Sequence, residues 1–264
     1  MKRRAFFKNS LATAVGASSL GLSTDSLSSN YPSQQASKEY YELRVYELKS
    51  GGKLAVFEDY LSKAVIPALN EIEIKNIGVF TEMGMSDPPK LYVLIPYKSL
   101  EEFAGAHEKM QQQQVYQNNS EVYLQATPAN LNFIRMDSYL MEAFDVIPQM
   151  KVPEKRERIF ELRNYESFSE EAGMRKVEMF NEEEIDIFNK TGLDPVFFGK
   201  TLIGQNLPNL IYMLVFDDIE ERDRNWKKFV DHPDWKKVSG LEKYANTVSQ
   251  VNRTFLLPTA YSQI

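Results

Sequence analysis

The chain has 264 residues and a formal net charge of −6, with 43 % hydrophobic and 26 % charged residues. These values are typical of a soluble globular protein with one large or two small domains. Cysteine is absent and there are two histidines, which excludes disulfides, thiolate metal sites and a cysteine-linked lipid anchor. We therefore expect no metal site.

Residues 1–38 have the composition of a targeting segment. A basic head is followed by a mildly apolar run from Leu11 to Leu22, rich in Ala, Gly and Ser, which is the layout of an export signal. The run is too short for a membrane-spanning helix, which needs about 20 apolar residues. Residues 23–38 form a Ser- and Gln-rich spacer without a clean cleavage site, so cleavage and retention as a membrane tether both stay open.

The basic head contains the segment Arg3-Arg4-Ala5-Phe6-Phe7-Lys8, which resembles a twin-arginine export signal. The resemblance implies export of the folded protein across a bacterial inner membrane. It also implies a periplasmic location and the twin-arginine translocase as a partner during export. The alternatives are a general secretory signal and an unstructured basic tail.

The remaining body, residues 39–264, is acidic. It carries 26 basic and 36 acidic residues and has no basic stripe. Such a surface repels a phosphate backbone, so we expect no nucleic-acid partner.

The body contains an internal repeat. The segment Tyr41-Glu42-Leu43-Arg44-Val45-Tyr46-Glu47 returns 119 residues later as Phe160-Glu161-Leu162-Arg163-Asn164-Tyr165-Glu166. The helix-capping segments that begin at Ser99 and Asp218 have the same offset. The sequence therefore predicts repeat 1 at 39–145, a proline-containing linker at 146–157 and repeat 2 at 158–264.

Both repeats predict the same order of elements, βαββαβ. Repeat 1 has strands at 40–48, 77–82, 91–97 and within 131–143, with a helix at 53–73, split near Pro67, and another from Ser99. Repeat 2 has strands at 158–166, 195–202, 210–216 and 250–257, with helices at 170–190 and from Asp218. This order is the ferredoxin-like α+β plan. We expect the two repeats to pack as an intramolecular dimer, because each sheet would otherwise expose an apolar face.

The opening Tyr-Glu-Leu-Arg-x-Tyr motif resembles the start of a NIPSNAP domain, as do Ile66-Pro67-Ala68-Leu69, Gly78-Val79-Phe80 and His232-Pro233-Asp234-Trp235. The resemblance covers both repeats and implies a dimeric α/β barrel. Repeat 1 departs from the pattern, since Met110–Asn119 is Gln-rich and has no Trp. The family implies no agreed enzymatic activity, although the wider barrel group includes monooxygenases and haem-degrading enzymes.

Candidate site residues come from the alternating polar positions of the two opening strands. If Leu43 and Leu162 pack on the helices, the polar positions project into the barrel interior. There an arginine could clamp an anion and a tyrosine could donate a proton. The alternative is an inert ion pair that joins the two halves. The six candidates are Glu42, Arg44, Tyr46, Glu161, Arg163 and Tyr165.

His107 and His232 are weaker candidates, because they occupy non-equivalent positions in the two repeats. The favoured hypothesis is a protein that binds a small polar or anionic molecule between its two sheets, with no resident cofactor. The rival hypotheses are a periplasmic oxidoreductase, either cofactor-free or associated with haem, and a structural partner of another exported protein. A homo-oligomer is left open.

Overall fold

The computed structural model describes residues 37–49, 54–84 and 86–264. The predicted signal and spacer lie outside the described residues, except for the last two positions. Within the described ranges, no helix is long and apolar enough to cross a membrane.

The described part of repeat 1 forms four strands and five α-helices in the predicted order. They are β1 (Tyr40–Glu47), α1 (Leu54–Asp59), a π-helical segment (Tyr60–Val65), α2 (Ile66–Glu71), β2 (Gly78–Glu82), β3 (Lys90–Tyr97), α3 (Leu100–Gln111), α4 (Gln114–Asn119), α5 (Glu121–Leu124) and β4 (Arg135–Ala143). Pro67 lies in the first turn of α2, where its missing amide costs little.

Repeat 2 has the same order of strands. Its elements are β5 (Ile159–Glu166), α6 (Glu170–Met179), a π-helical segment (Phe180–Glu184), α7 (Ile185–Thr191), β6 (Asp194–Ile203), β7 (Asn209–Phe216), α8 (Ile219–Asp231), α9 (Pro233–Val238), a 3₁₀ turn (Glu242–Tyr244) and β8 (Gln250–Pro258). The π-helical segments fall at matching positions, so residues 40–111 and 159–230 align without a gap.

The predicted caps hold the starts of α3 and α8. The Ser99 hydroxyl accepts a hydrogen bond from the Glu102 amide at 3.1 Å, and the Asp218 carboxylate accepts one from the Glu221 amide at 2.7 Å. Each cap satisfies a helix amide that has no partner within the helix. The two helices therefore start at equivalent positions, which fixes which of their residues face the sheet.

The eight strands form one closed antiparallel barrel in the order β1-β3-β2-β8-β5-β7-β6-β4. The two repeats meet at two seams, where β2 pairs with β8 and β4 pairs with β6. At the second seam Gly199 lies opposite Ala143, and a Cβ at Gly199 would come within 2.7 Å of the Met141 Cβ. The predicted fold class, two ferredoxin-like units that form one barrel, is confirmed.

Three apolar clusters form the core, one inside the barrel and one beneath the helices of each repeat. Leu43 and Leu162 lie in the interior cluster, whereas Tyr46 and Tyr165 lie in the two outer clusters. The prediction that the polar face lines the barrel interior is therefore wrong. The interior cluster is built from apolar side chains, and the polar positions of β1 and β5 face the helices.

Candidate functional site

The six predicted site residues form two separate groups, because β1 and β5 carry them beneath different helical layers. Glu42, Arg44 and Tyr46 lie in repeat 1, and their counterparts lie in repeat 2. The ion pairs that they make also stay within one repeat: Arg44 pairs with Glu42, and Arg163 pairs with Glu161. The alternative of an ion pair that joins the two halves is therefore wrong as well.

Glu161 is the centre of the group in repeat 2, and its side chain is fully buried. Its Oε1 accepts hydrogen bonds from Arg163 Nη1 at 2.6 Å and from Arg222 Nη2 at 3.0 Å. Its Oε2 accepts hydrogen bonds from Arg222 Nε at 2.9 Å and from Trp226 Nε1 at 2.8 Å. Both oxygens of this buried carboxylate are thus satisfied by donors from β5 and α8.

These donors keep Glu161 ionised. Burial by itself would raise the pKa of the Glu161 carboxyl, but the Arg222 hydrogen bond, the Arg163 charge and the Trp226 hydrogen bond lower that pKa below its ordinary value. Glu161 therefore fixes the orientation of the two guanidinium groups.

Arg163 is enclosed by aromatic rings. Its guanidinium lies 4.3 Å from the Trp226 ring centroid, and its Nη2 donates to the Tyr165 hydroxyl at 3.0 Å. Tyr212 on β7 donates to the same hydroxyl at 2.8 Å. Burial raises the pKa of both tyrosine hydroxyls, so both remain protonated at neutral pH.

A second buried ion pair crosses the π-helical segment of repeat 2. Lys176 Nζ donates to Glu184 Oε2 at 2.6 Å, and both side chains are at least 95 % buried. The Lys176 ammonium also lies 4.4 Å from the Phe180 ring centroid. Burial raises the pKa of the Glu184 carboxyl, and the Lys176 charge opposes that shift only in part.

These groups line a cavity of about 380 Å³ between β5, β8 and the helices α6, α8 and α9, which we call the aromatic–cationic cavity. The size lies within the range of small-molecule sites, about 300–1,000 Å³. Its polar lining includes Arg163, Tyr165, Lys176, Glu184, Arg222 and Arg253. Its apolar lining is formed by Trp226, Phe229, Val230, Trp235, Val248 and Val251.

Arg253 on β8 lies opposite Arg163 in the strand register. Its guanidinium contacts the Phe255 ring, with 5.6 Å to the centroid. Within residues 37–49, 54–84 and 86–264, no carboxylate makes an ion pair with Arg253, whereas the other three cations of the cavity are each bound to a carboxylate. Arg253 is thus the cation of the cavity whose charge is available to pair with an added anion.

The His232-Pro233-Asp234-Trp235 segment supplies part of the cavity wall. His232 Nδ1 accepts a hydrogen bond from the Asp234 amide at 3.2 Å, which caps α9, and Pro233 occupies its first turn. Asp234 pairs with Lys190 of α7 at 3.0 Å. His232 therefore has a structural role here, and the residue of this segment that reaches the cavity is Trp235.

The group in repeat 1 has a different environment. Glu42 accepts two hydrogen bonds from Arg44, at 2.6 and 2.9 Å, and further ones from Tyr97 at 3.0 Å and Ser138 at 3.1 Å. Above this group Tyr46 contacts the ring of Phe57, with 5.0 Å between centroids. Further rings from Tyr123 and Phe133 pack on Phe57.

The space beneath the helices of repeat 1 is filled because repeat 1 has apolar residues at positions where repeat 2 has charged ones. Phe57 and Val65 stand where repeat 2 has Lys176 and Glu184, and Phe103 stands where repeat 2 has Arg222. His107 is the counterpart of Trp226, and it is exposed on α3. His107 thus lies away from the cavity of repeat 2.

Several cavity residues were missed by reasoning from the sequence. They are Lys176, Glu184, Arg222, Trp226 and Arg253. A position-by-position comparison of the repeats would have found the first four, because each replaces an apolar residue or a histidine of repeat 1. Arg253 gives no such signal, since the chain between α8 and β8 does not align with repeat 1.

The part of the chain that the structure describes contains no group of three or more His, Asp or Glu residues that could hold a metal ion. The cavity instead offers guanidinium, ammonium and aromatic groups, which suit an organic anion.

Two solved structures with TM-scores above 0.5 support the fold. A candidate monooxygenase from Fusobacterium nucleatum subsp. nucleatum matches with a TM-score of 0.57 and 13 % identity, covering 84 % of this chain and 93 % of that one. A candidate monooxygenase from Lactobacillus acidophilus matches with a TM-score of 0.54 and 10 % identity, covering 84 % and 94 %. A NIPSNAP family protein from Agrobacterium tumefaciens matches with a TM-score of 0.38 and 19 % identity, covering 44 % and 97 %.

A search of curated proteins found no significant match. The family model described as NIPSNAP matches residues 41–131 and 160–263, which together make up most of the chain. Each match begins at or beside the opening strand of one repeat and extends beyond its last helices. The chain therefore belongs to the NIPSNAP family, with two NIPSNAP units in tandem.

Proposed function

We propose that this protein binds a small organic anion in the aromatic–cationic cavity of repeat 2. The observation that carries the proposal is Arg253, a cation at the cavity wall with no carboxylate partner among the described residues. An anionic ligand would supply that partner and gain a charge-assisted hydrogen bond. This replaces the expectation of a ligand between the two sheets, because the barrel interior is apolar.

The proposal is supported by the rigid surroundings of Arg253. Arg163 and Arg222 are held by Glu161, and Lys176 is held by Glu184. A site whose charged groups are already oriented spends less free energy on ordering when the ligand binds.

The test uses the variant Arg253→Met and the fluorescence of Trp226 and Trp235, which are the two tryptophans of the chain. Acetate, succinate and benzoate are titrated into the wild-type protein, and at least one should give a saturable change. Arg253→Met should weaken that binding at least tenfold, because it removes the uncompensated charge.

Arg224→Met is the matched control. Arg224 carries the same charge on α8 and is exposed, as Arg253 is, but its side chain does not line the cavity. Binding should be unchanged in this variant. The proposal fails if no anion binds saturably, or if both arginine variants bind as the wild type does.

A second candidate is an oxygenase reaction in the same cavity. It is favoured by the fold shared with two candidate monooxygenases and by the buried Glu184 carboxyl at the cavity wall, whose pKa is raised by burial, so that it could take up a proton there. An absorption spectrum of the purified protein, with mass spectrometry of retained small molecules, tests it. A Soret band, or oxygen uptake with a retained molecule, would favour this candidate over simple binding.

We also propose that the protein is exported by the twin-arginine route and acts in the periplasm. The support is the Arg3-Arg4-Ala5-Phe6-Phe7-Lys8 segment alone. Changing Arg3 and Arg4 to Lys should abolish export in cell fractionation, because lysine lacks the planar guanidinium. Unchanged export would indicate the general secretory route.

A further inference from the structure

We infer that the ligand of the aromatic–cationic cavity is a planar aromatic monocarboxylate. This inference rests on the proposed function and narrows it to one chemical class. It is carried by three features of the cavity: the number of uncompensated charges, the aromatic wall and the volume.

The charges indicate a single negative charge on the ligand. Arg163 and Arg222 share Glu161, and Arg222 also contacts Asp223 at 2.7 Å. Lys176 is bound to Glu184. Among the residues that the structure describes, this leaves Arg253 as the one cation of the lining without a carboxylate. A dianion has a second negative charge, and every other cation of the lining is already paired with a carboxylate. Removing that second charge from water without a cationic partner is costly.

The wall that contacts these charges is aromatic, since the Arg163 guanidinium lies 4.3 Å from the Trp226 ring centroid and the Lys176 ammonium lies 5.8 Å from that of Trp235. Trp226 and Trp235, the two tryptophans of the chain, both line the cavity, and each residue is partly exposed. The Phe229 ring supports both of them, with centroids at 5.5 Å from Trp226 and 4.4 Å from Trp235. A planar ring can stack on such a wall, whereas an aliphatic chain gains contact area without the stacking interaction.

The rim adds exposed apolar surface. Val230 is 54 % exposed and Val251 is 47 % exposed, and both line the cavity. A ligand with one or two six-membered rings would fit in about 380 Å³ and would cover these side chains. Its carboxylate would then point towards Arg253 on β8, and its ring towards α8 and α9.

The experiment compares four probes by calorimetry, with tryptophan fluorescence as a second readout. Benzoate has the ring and the charge, cyclohexanecarboxylate has the charge and a non-planar ring, acetate has the charge alone, and benzamide has the ring alone. Benzoate should bind about 3–10-fold more tightly than cyclohexanecarboxylate, which is the fold-change that aromatic stacking provides. Acetate and benzamide should each bind at least tenfold more weakly than benzoate.

Variants of the wall identify the ring that stacks. Trp235→Leu should remove the preference for benzoate over cyclohexanecarboxylate, while Trp235→Phe should retain part of it. Phe168→Leu is the matched control, because Phe168 is 62 % exposed and does not line the cavity. That variant should keep the full preference.

The outcomes separate this inference from the proposed function. If cyclohexanecarboxylate or acetate binds as tightly as benzoate, the cavity binds anions but the aromatic class is wrong. If benzamide binds as tightly as benzoate, the carboxylate assignment is wrong. If none of the carboxylates binds, both the inference and the proposed function fail.

Discussion

The two repeats of this chain share a backbone plan and the same Glu-x-Arg-x-Tyr strand, yet they treat the space beneath their helices in opposite ways. Repeat 1 fills it with Phe57 and neighbouring rings. Repeat 2 has Lys176, Glu184 and Arg222 in the corresponding space beneath its helices, where an open cavity remains. Because buried charge is costly, the difference agrees with the proposal that repeat 2 binds the ligand, while the filled space of repeat 1 contributes to stability.

The comparison also shows what the shared strand does. In both repeats the glutamate binds the arginine two residues later in the same strand, with a closest distance of 2.6 Å. Among the described residues Arg44 has no second acidic partner, and the other hydrogen bonds to Glu42 come from the hydroxyl groups of Tyr97 and Ser138. In repeat 2 the same glutamate also binds Arg222 and Trp226 from α8. The motif is therefore a structural element that repeat 2 has extended into a cavity wall.

The largest expected effect comes from separating the repeats. A fragment of residues 158–264 loses the partners of β6 and β8 at both seams. We expect it to form a homodimer that rebuilds the barrel, or to aggregate, as measured by size-exclusion chromatography with light scattering. A stable folded monomer would show that repeat 2 does not depend on repeat 1.

The next effect distinguishes the two glutamates. Glu161→Gln should lower the free energy of unfolding by about 3–5 kcal/mol, because it leaves two buried guanidinium groups without their carboxylate. Glu42→Gln should cost about 1–3 kcal/mol, since Arg44 keeps 24 % of its side chain exposed and can be hydrated. Urea unfolding measures both, and equal losses would contradict the comparison.

The Glu161 effect should depend on pH. The pKa of this carboxyl is lowered in the folded protein from its ordinary value of 4.5, so its stabilisation is fully present above that value. It is lost as the pH falls through the folded-state pKa. The difference in stability between wild type and Glu161→Gln should thus be constant near pH 7 and shrink below about pH 4.5 in pH-dependent melts. A constant difference down to pH 3 would argue against a lowered pKa.

A smaller change in stability is expected when both members of the buried ion pair in repeat 2 are replaced by their apolar counterparts from repeat 1. The double variant Lys176→Phe with Glu184→Val should be as stable as the wild type, or up to about 4 kcal/mol more stable, because the cost of burying the ion pair disappears. Glu184→Val alone should lose about 3–5 kcal/mol, since it leaves Lys176 buried and unpaired. Denaturant melts of both variants test this, and a strongly destabilised double variant would mean that the pair is needed for folding.

The smallest effects concern the histidines. His232→Ala removes the cap of α9 and should cost about 0.5–2 kcal/mol. His107→Ala changes an exposed residue on α3 and should stay within about 0.5 kcal/mol of the wild type. Thermal melts compare the two. A larger loss for His107→Ala would point to a contact of α3 with a partner.

The repeat and the alternation of polar and apolar residues were enough to predict the order of strands and helices and the packing of the two units on each other, whereas the barrel was implied by the NIPSNAP resemblance. Which side of β1 and β5 faces the barrel interior and which faces the helices could not be predicted in the same way. Alternation separates Leu43 from Arg44, but in a barrel covered by helices both faces are buried, and a polar face can be satisfied on either side. The cavity was harder still, because Lys176, Arg222 and Arg253 come from three elements far apart in the chain.

The joining of two units through residues 146–157 has a consequence for symmetry. In a homodimer of a single unit, every substitution occurs twice, once on each side of the two-fold axis. A buried lysine–glutamate pair would then be present in both subunits, and its desolvation would cost free energy twice. Once both units belong to one chain, Phe57 and Lys176 can change independently. The protein thus needs to bury that pair only once, and the other unit keeps a tightly packed core.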